Sequence, residues 1–260
     1  MIPISVVMAV HNDERYLTAA IRSILDQTWR DFEFLIVNDG STDGSDDILQ
    51  EFARKDPRII LVKQDHLGLT AALNVGCRRA RGGYMARMDS DDIAAPDRLE
   101  KQYHYLEAHP MVAVCGAQGW FINANGRTIG EKNLPCAAED IRRRLLFNNQ
   151  CIHSSLFIRK SAFAEAGGYD AHFRKSQDYE LLLRLATKYD VVNLPERLVY
   201  WRVRSTSLSW QSKAQEWYAI LARWRAITRY GYPKLRGLLQ IGLRLGWLTV
   251  PQRWKMRRYT

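Results

Sequence analysis

Long apolar runs, CxxC pairs and histidines at metal-ligand spacing from the cysteines are all absent from this 260-residue sequence. No stretch of eighteen apolar residues occurs, so the sequence predicts no membrane-spanning helix. The four cysteines lie at least fifteen positions apart without a CxxC pair, which argues against a zinc site and a disulfide scaffold. We expect them to be free and buried. The first apolar run lacks preceding basic residues and a cleavage site, so it predicts a core strand rather than a signal peptide.

Acidic residues are nearly absent from the last sixty positions. Between residues 201 and 260, thirteen Lys and Arg accompany one acid, Glu216, a net charge of +12 that leaves the first 200 residues at −2. This asymmetry predicts a near-neutral globular part followed by a basic tail. An apolar content of 47% is ample for a packed core.

Apolar, β-branched runs alternate with segments of helical periodicity through the first hundred residues. The predicted strands are Ile4 to Val10, Phe32 to Val37, Ile59 to Val62 and Tyr84 to Met88. This alternation predicts an α/β fold with a mainly parallel sheet flanked by helices, and a ligand crevice at the carboxyl ends of its strands. Further along we expect strands at 111–114 and 152–158, an Asn-Gly hairpin between them and a helix at 177–188.

Three carboxylates, Asp89, Asp91 and Asp92, follow the fourth predicted strand within four positions. Their mutual repulsion would be relieved by a hard divalent cation such as Mn²⁺ or Mg²⁺, which also leaves positions open for phosphate oxygens. The alternative is that Asp91 and Asp92 cap the next helix while Asp89 is solvated.

The motifs "EFLIVNDGSTDGS", "ARMDSDDIAAPDRLEKQ", "GGYD" and "SQDYELLLRL" occur in this order. Together with the N-terminal "SVVMAVHNDERYL", they resemble the inverting glycosyltransferases of family 2, with the GT-A fold, over roughly residues 3–209. The resemblance implies a catalytic domain over 1–209, with a nucleotide-sugar half at 1–110 and an acceptor half at 111–209. A helical, basic, amphipathic extension would occupy 210–260. The QxxRW signature of processive members is missing, so we expect transfer of a single sugar.

The resemblance implies roles for residues on the donor side. A nucleotide-sugar, with UDP the expected nucleotide, would contact Val10, Asn12, Glu14, Asp39 and Asp89. For Asp39 the alternative is a local Asx turn. The "MDSDD" segment resembles the family's DxD motif, with Asp91 as metal ligand and Asp89 and Asp92 as further candidates; the resemblance does not separate their roles.

The resemblance also implies the catalytic and acceptor side. Asp178 lies where the family carries its general base, with Glu180 as competitor and a helix cap as the alternative role. Acceptor-side candidates are His153, Gly168, Tyr169 and Arg204. Arg204 stands where similar sequences often have histidine, and arginine neutralises phosphate but cannot ligate a metal.

The basic tail favours a membrane surface over a nucleic acid. Arg236, Gln240 and Arg244 form a polar stripe on an otherwise leucine-rich helix, so 234–258 is expected on anionic lipid at the inner face of the cell membrane. A lipid-linked or other glycan acceptor suits that location. A nucleic-acid-binding protein is the alternative. The sequence contains no recognised RNA- or DNA-binding module, so we expect no nucleic acid to bind. A nucleotidyltransferase would usually have a glycine-rich basic loop after the first strand, which is missing.

Overall fold

A computed structural model describes residues 2–204 and 213–249 of the protein. The predicted boundary at 209 and the basic segment after residue 249 lie outside the described residues. The helices are α1 (Glu14–Leu25), α2 (Ser45–Lys55), α3 (Leu69–Arg79), α4 (Arg98–Ala108), α5 (Ala138–Arg144), α6 (Lys160–Glu165), α7 (Gln177–Leu185), α8 (Lys213–Arg229) and α9 (Lys234–Thr249). The strands are β1 (Ile4–Val10), β2 (Phe32–Asp39), β3 (Ile59–Gln64), β4 (Tyr84–Asp89), β5 (Ile93–Ala94), β6 (Val112–Ile122), β7 (Thr128–Lys132), β8 (Phe157–Arg159) and β9 (Asp190–Arg202).

One mixed sheet runs through the described residues in the order β3-β2-β1-β4-β8-β6-β9-β5, with β7 paired to β6. Strands β3, β2, β1 and β4 are parallel, as the βαβ pattern predicted. Strand β8 is antiparallel to both neighbours, and β6 pairs in parallel with β9. The predicted Asn-Gly hairpin is confirmed as β6–β7.

Two expectations about local structure are wrong. The predicted strand at 152–158 begins as a 3₁₀ turn, His153–Ser155, and only Phe157–Arg159 pairs in the sheet. The turn is held by the Ser155 hydroxyl, which donates to the carbonyl of Ile152 (2.8 Å). The cysteines are free, but Cys136 is exposed whereas Cys77, Cys115 and Cys151 are buried.

The core lies on both faces of the sheet because alternate strand residues point to opposite sides. Val7 and Leu35 face one apolar cluster with α3 and α7, whereas Val6 and Phe34 face the other with α1 and α4. Parallel register aligns the carboxyl ends, so Ala9 of β1 lies opposite Asp89 of β4. The first two loops and the carboxylate segment therefore meet at one edge.

Helices α8 and α9 pack on the face that carries α7. The buried guanidinium of Arg223 donates to the carbonyls of Leu146 (2.8 Å) and Phe147 (2.7 Å). In α9 two residues of the polar stripe face inward, since Gln240 is buried and Arg244 contacts the Phe147 carbonyl (3.2 Å), whereas Arg236 is exposed. The leucines of α9 consequently face outward. Across the described ranges, no helix combines the length and apolarity needed to cross a membrane.

Candidate active site

Two loops at the ends of β1 and β2 are tied together. The side-chain oxygen of Asn12 accepts from the backbone N–H of Thr42 (2.8 Å), and the Glu14 carboxylate accepts from that of Gly44 (2.6 Å). Asn12 has a φ of 54°, in the left-handed region that asparagine tolerates. Val10 is buried at the end of β1. Asn12 and Glu14 thus brace this edge, and Val10 fixes where the first loop begins.

Asp39 orients the loop that leads into α3. Its Oδ1 accepts from the Gln64 side chain (2.6 Å) and the Leu67 N–H (2.9 Å), and its Oδ2 accepts from the Gly68 N–H (2.9 Å). Nδ1 of His66 lies 3.0 Å from Oδ2 and 3.1 Å from the Asp39 carbonyl. The side chain therefore does more than close a local turn, because it holds a loop 25 to 29 residues away.

A stacked histidine pair, which the sequence did not reveal, lies beside Asp39. The rings of His11 and His66 are 3.8 Å apart between centroids, and His11 Nδ1 lies 2.8 Å from the Asp39 carbonyl. Among the described residues, this trio is the set whose possible ligand atoms come within 4.8 Å of one another. The trio Asp89, Asp91 and Asp92 does not converge in this way.

Asp89 and Asp92 share one hydroxyl. Ser154 Oγ lies 2.6 Å from Asp89 and also contacts Asp92, whose other oxygen accepts from the Arg202 N–H (2.8 Å). Burial opposes ionisation of Asp89, but the guanidinium of Arg87 outweighs it and lowers the pKa to about 2. Burial and the nearby negative charges raise the pKa of Asp92 well above its ordinary value. Asp89 is therefore the ionised member of the pair.

Asp91 faces the other way, toward Arg204. The two Arg204 guanidinium nitrogens lie 2.6 Å from Asp91 Oδ2 and 2.8 Å from Asp13 Oδ1. Burial, with the negative charges of Asp89 and Asp13, raises the pKa of Asp91 to about 6 despite that arginine. Arg204 thus lies in the carboxylate cluster. This position differs from the expectation, which placed Arg204 with His153 among the acceptor-side candidates.

These carboxylates suit a hard divalent cation. Mg²⁺ and similar ions bind through one or two carboxylates together with substrate phosphates. Burial and the charges of Asp89 and Asp13 raise the pKa of Asp91 even beside Arg204, so a bound cation would favour the ionised form of this carboxyl. Asp91, with Asp89 adjacent, fits Mn²⁺ or Mg²⁺, whereas Asp92 already uses both oxygens within the protein.

Asp178 is a partly buried carboxylate at the start of α7. It accepts from the side-chain amide of Asn149 (2.7 Å), whose oxygen is fixed by the Cys151 N–H (3.0 Å). Burial raises its pKa above the ordinary value, although the charge of Arg87 opposes this. A carboxylate with a raised pKa is suited to accept a proton near neutral pH.

Glu180, the competing acid, is fully buried and engaged. Its two oxygens accept from Arg184 (2.6 and 3.1 Å), and the Tyr230 hydroxyl donates to it (2.5 Å). The Tyr230 contact joins α7 to the residue that follows α8. Together, these contacts support Asp178 over Glu180 as the base.

Replacing Glu180 with alanine is therefore expected to destabilise the fold by about 3–5 kcal/mol, because the partly buried Arg184 would lose the fully buried carboxylate that it pairs with. Urea unfolding followed by circular dichroism would measure this. Glu165→Ala is the matched control, since its pair with Lys188 is exposed and little change is expected. An unchanged urea midpoint in the Glu180 variant would contradict the structural role.

The acceptor-side candidates His153, Gly168 and Tyr169 lie close together. His153 Nε2 lies 3.0 Å from the Tyr169 hydroxyl. Burial and the positive charge of Arg87 lower the pKa of His153 well below its usual value, so the ring is neutral. Gly168 has a φ of 74°, and a Cβ there would lie 3.2 Å from Asn74 Oδ1. The position thus favours glycine.

Comparison with known proteins identifies the family. Residues 5–167 match the sequence profile described as Glycosyl transferase family 2. The chain belongs to Glycosyl transferase family 2. The O-antigen biosynthesis glycosyltransferase WbnJ of Escherichia coli is 35% identical over 208 residues, 78% of this chain and 81% of WbnJ.

Solved structures place the family 2 chain in the GT-A fold. S. aureus TarS in complex with UDP-GlcNAc superposes with a TM-score of 0.74 at 17% identity, covering 94% of this chain and 71% of that one. Of a longer TarS chain, this protein spans 43%. A mannosyltransferase from Pyrobaculum calidifontis, solved with GDP-Man and Mn²⁺, gives a TM-score of 0.70 at 18% identity, covering 96% of this chain and 71% of that one. The predicted family and fold are confirmed, and the protein is a glycosyltransferase.

Three residues that organise this family 2 site were missed from the sequence. Arg87 is a buried arginine within β4, and its charge acts on both Asp89 and Asp178. An arginine inside an otherwise apolar strand was the available signal. Ser154 and Asn149 gave none, because their partners are 29 to 65 positions away.

Proposed function

We propose that this glycosyltransferase moves a single sugar from a nucleotide-diphospho-sugar to a hydroxyl of a glycan or lipid-linked acceptor, in the synthesis of a surface polysaccharide or lipopolysaccharide. The observation that carries the proposal is the electrostatic proximity of the two sites around Arg87. Its charge lowers the pKa of Asp89 in the carboxylate segment, and it opposes the rise that burial causes in the pKa of Asp178 at the start of α7. The buried charge of Arg87 thus acts on both the proposed donor-side carboxylate and the proposed general base.

On the donor side, the nucleotide lies along the braced loops after β1 and β2. The Asp39 carboxylate accepts a hydrogen bond from the N–H of the base. Oδ2 is available for this bond because Nδ1 of His66, which contacts Oδ2, also lies 3.1 Å from the Asp39 carbonyl and can bond there instead. UDP is the proposed nucleotide, in line with the UDP-GlcNAc complex of TarS. Arg204, beside Asp91, neutralises charge on the diphosphate.

In the proposed reaction, Asp178 takes the proton of the acceptor hydroxyl while that oxygen attacks the anomeric carbon of the sugar. The bond to the nucleoside diphosphate breaks in the same displacement, so the configuration inverts. The amide of Asn149 holds the Asp178 carboxylate in place. When bound at Asp91, Mn²⁺ or Mg²⁺ supplies charge neutralisation for the leaving diphosphate.

We further propose that the enzyme works on the inner face of the cell membrane, as a cytoplasmic peripheral protein. The outward leucines of α9 support this, because Leu235 is 84% exposed and Leu239 is 61% exposed. A leucine-rich helix face next to arginines suits an anionic lipid surface.

A calorimetric panel of UDP, GDP, dTDP and CDP, each with and without Mn²⁺, tests the donor assignment. UDP is expected to bind with a clear gain from Mn²⁺, because Asp91 needs a cation to face the diphosphate. Binding of another nucleotide instead would change the proposed donor. If folded protein bound none of the four, the donor site would be wrong.

A further inference from the structure

A cleft of about 560 Å³ lies between α5 and α9, away from the carboxylate cluster. Three arginines line it, Arg143 and Arg144 from α5 and Arg236 from α9. Two apolar side chains, Phe147 and Leu239, complete its lining together with polar groups. The cleft thus combines positive charge with an apolar rim.

The arginines of this cleft carry more charge than the acids near it balance. Asp140 pairs with Arg143 (2.6 Å), and Glu216 pairs with Arg244 (3.3 Å). Within residues 2–204 and 213–249, neither Arg144 nor Arg236 forms an ion pair with a carboxylate. Two positive charges therefore remain for an anionic ligand.

The cleft opens beside the outward leucine face of α9. Leu239 lines the cleft and is also 61% exposed on that face, flanked by Leu235 (84%) and Leu243 (60%). Large exposed apolar side chains in a row indicate contact with an apolar partner. A ligand that satisfies both features has an anionic head and an apolar tail.

We propose that this cleft binds the phosphate group of a membrane lipid, whose apolar chain lies along the leucine face of α9. The inference deepens the membrane part of the proposed function and rests on it. Arginine is suited to phosphate because its planar fork donates two parallel hydrogen bonds. Phe147 lies two positions before Asn149, the partner of Asp178, so the cleft borders the segment that holds the proposed base.

Vesicle co-sedimentation of the full chain tests the cleft. The Arg144→Gln/Arg236→Gln variant should bind phosphatidylglycerol vesicles roughly 30-fold more weakly than the unaltered protein, on the basis of the usual contribution of each arginine at an anionic surface. The matched control is Arg22→Gln/Arg54→Gln, which removes the same charge from exposed positions on α1 and α2, across the sheet. The control should bind almost normally, because charges beyond a Debye length from the surface are screened.

The outcomes separate specific from diffuse binding. Equal losses in the two double variants, or no loss in the cleft variant, would overturn the proposal. Inorganic phosphate that binds the protein as tightly as the vesicles do would assign the cleft to a free anion instead of a lipid. Leu235→Gln should also weaken vesicle binding, because this side chain lies on the lipid-facing surface and is not needed for folding.

The vesicle experiment uses no nucleotide, so its outcome does not depend on whether the donor assignment is correct. Loss of vesicle binding with normal UDP titration would be a defect of the cleft alone. If the unaltered protein binds no vesicle while UDP still binds, the membrane assignment and the lipid cleft are both wrong and the transferase proposal stands.

Discussion

Asp178→Asn is expected to lower the rate of sugar transfer at least about 100-fold, the usual contribution of a general base. Asparagine keeps the shape of the side chain but cannot accept the proton of the acceptor hydroxyl. Donor affinity should stay close to normal, since Asp178 is hydrogen-bonded to Asn149 and is not among the residues proposed to hold the nucleotide. Steady-state kinetics together with a UDP titration would show a loss in kcat without a loss in binding. Asp47→Asn, on the exposed face of α2, is the matched control.

The pH dependence gives the same residue a second test. Because burial raises the pKa of Asp178, the rate should fall as the pH is lowered through that raised pKa, and hold above it. Asn149→Ala removes a donor that stabilises the carboxylate, so the acidic limb should move to higher pH. Full turnover of the Asp178 variant, or an unmoved limb in the Asn149 variant, would reject the general-base role.

The second large effect is expected from Asp91→Asn. The loss of turnover should be on the order of 100-fold or more, because the charge on the leaving diphosphate would lose several kcal/mol of stabilisation. The Mn²⁺ gain in UDP binding should disappear as well. Asp91 is the carboxylate whose side chain contacts Arg204 instead of Ser154, so it is the one placed to face a cation.

Asp92→Asn is the informative comparison. Ser154 has one hydroxyl proton and two carboxyl partners, so Asp92 can share a hydrogen bond there as a neutral acid, which an amide imitates. Activity should remain within about tenfold of normal. Steady-state kinetics of Asp91→Asn and Asp92→Asn, each with and without Mn²⁺, would show which carboxylate binds the metal. Equal loss in both would assign the metal to Asp92 as much as to Asp91.

The parallel half of the sheet was predictable because its strands are signalled locally. β1 through β4 are apolar runs that begin at the predicted residues, and each of the first three is followed directly by a helix of clear periodicity. The long strand β9 was not anticipated. It contains Pro195 and charged residues, and its pairing with β6 depends on contacts some 80 positions away.

The acids of the candidate site were visible in the sequence, but their division of labour was not. Asp89, Asp91 and Asp92 look equivalent in "MDSDD", yet Arg87, Arg204 and Ser154 give each a different charge state or direction. Glu180 and Asp178 are two positions apart on one helix turn. Only their side-chain partners distinguish them: Arg184 and Tyr230 contact Glu180, and Asn149 contacts Asp178.

The hydrogen bonds that tie Asn12 to Thr42 and Glu14 to Gly44 have an entropic consequence. Ordering a flexible loop around a ligand opposes binding by about 0.5–1.5 kcal/mol for each rotamer-rich side chain that is immobilised. Here the two loops are already held before any donor arrives. The binding energy of the nucleotide is therefore available for discriminating between bases, and little of it is consumed in assembling the pocket.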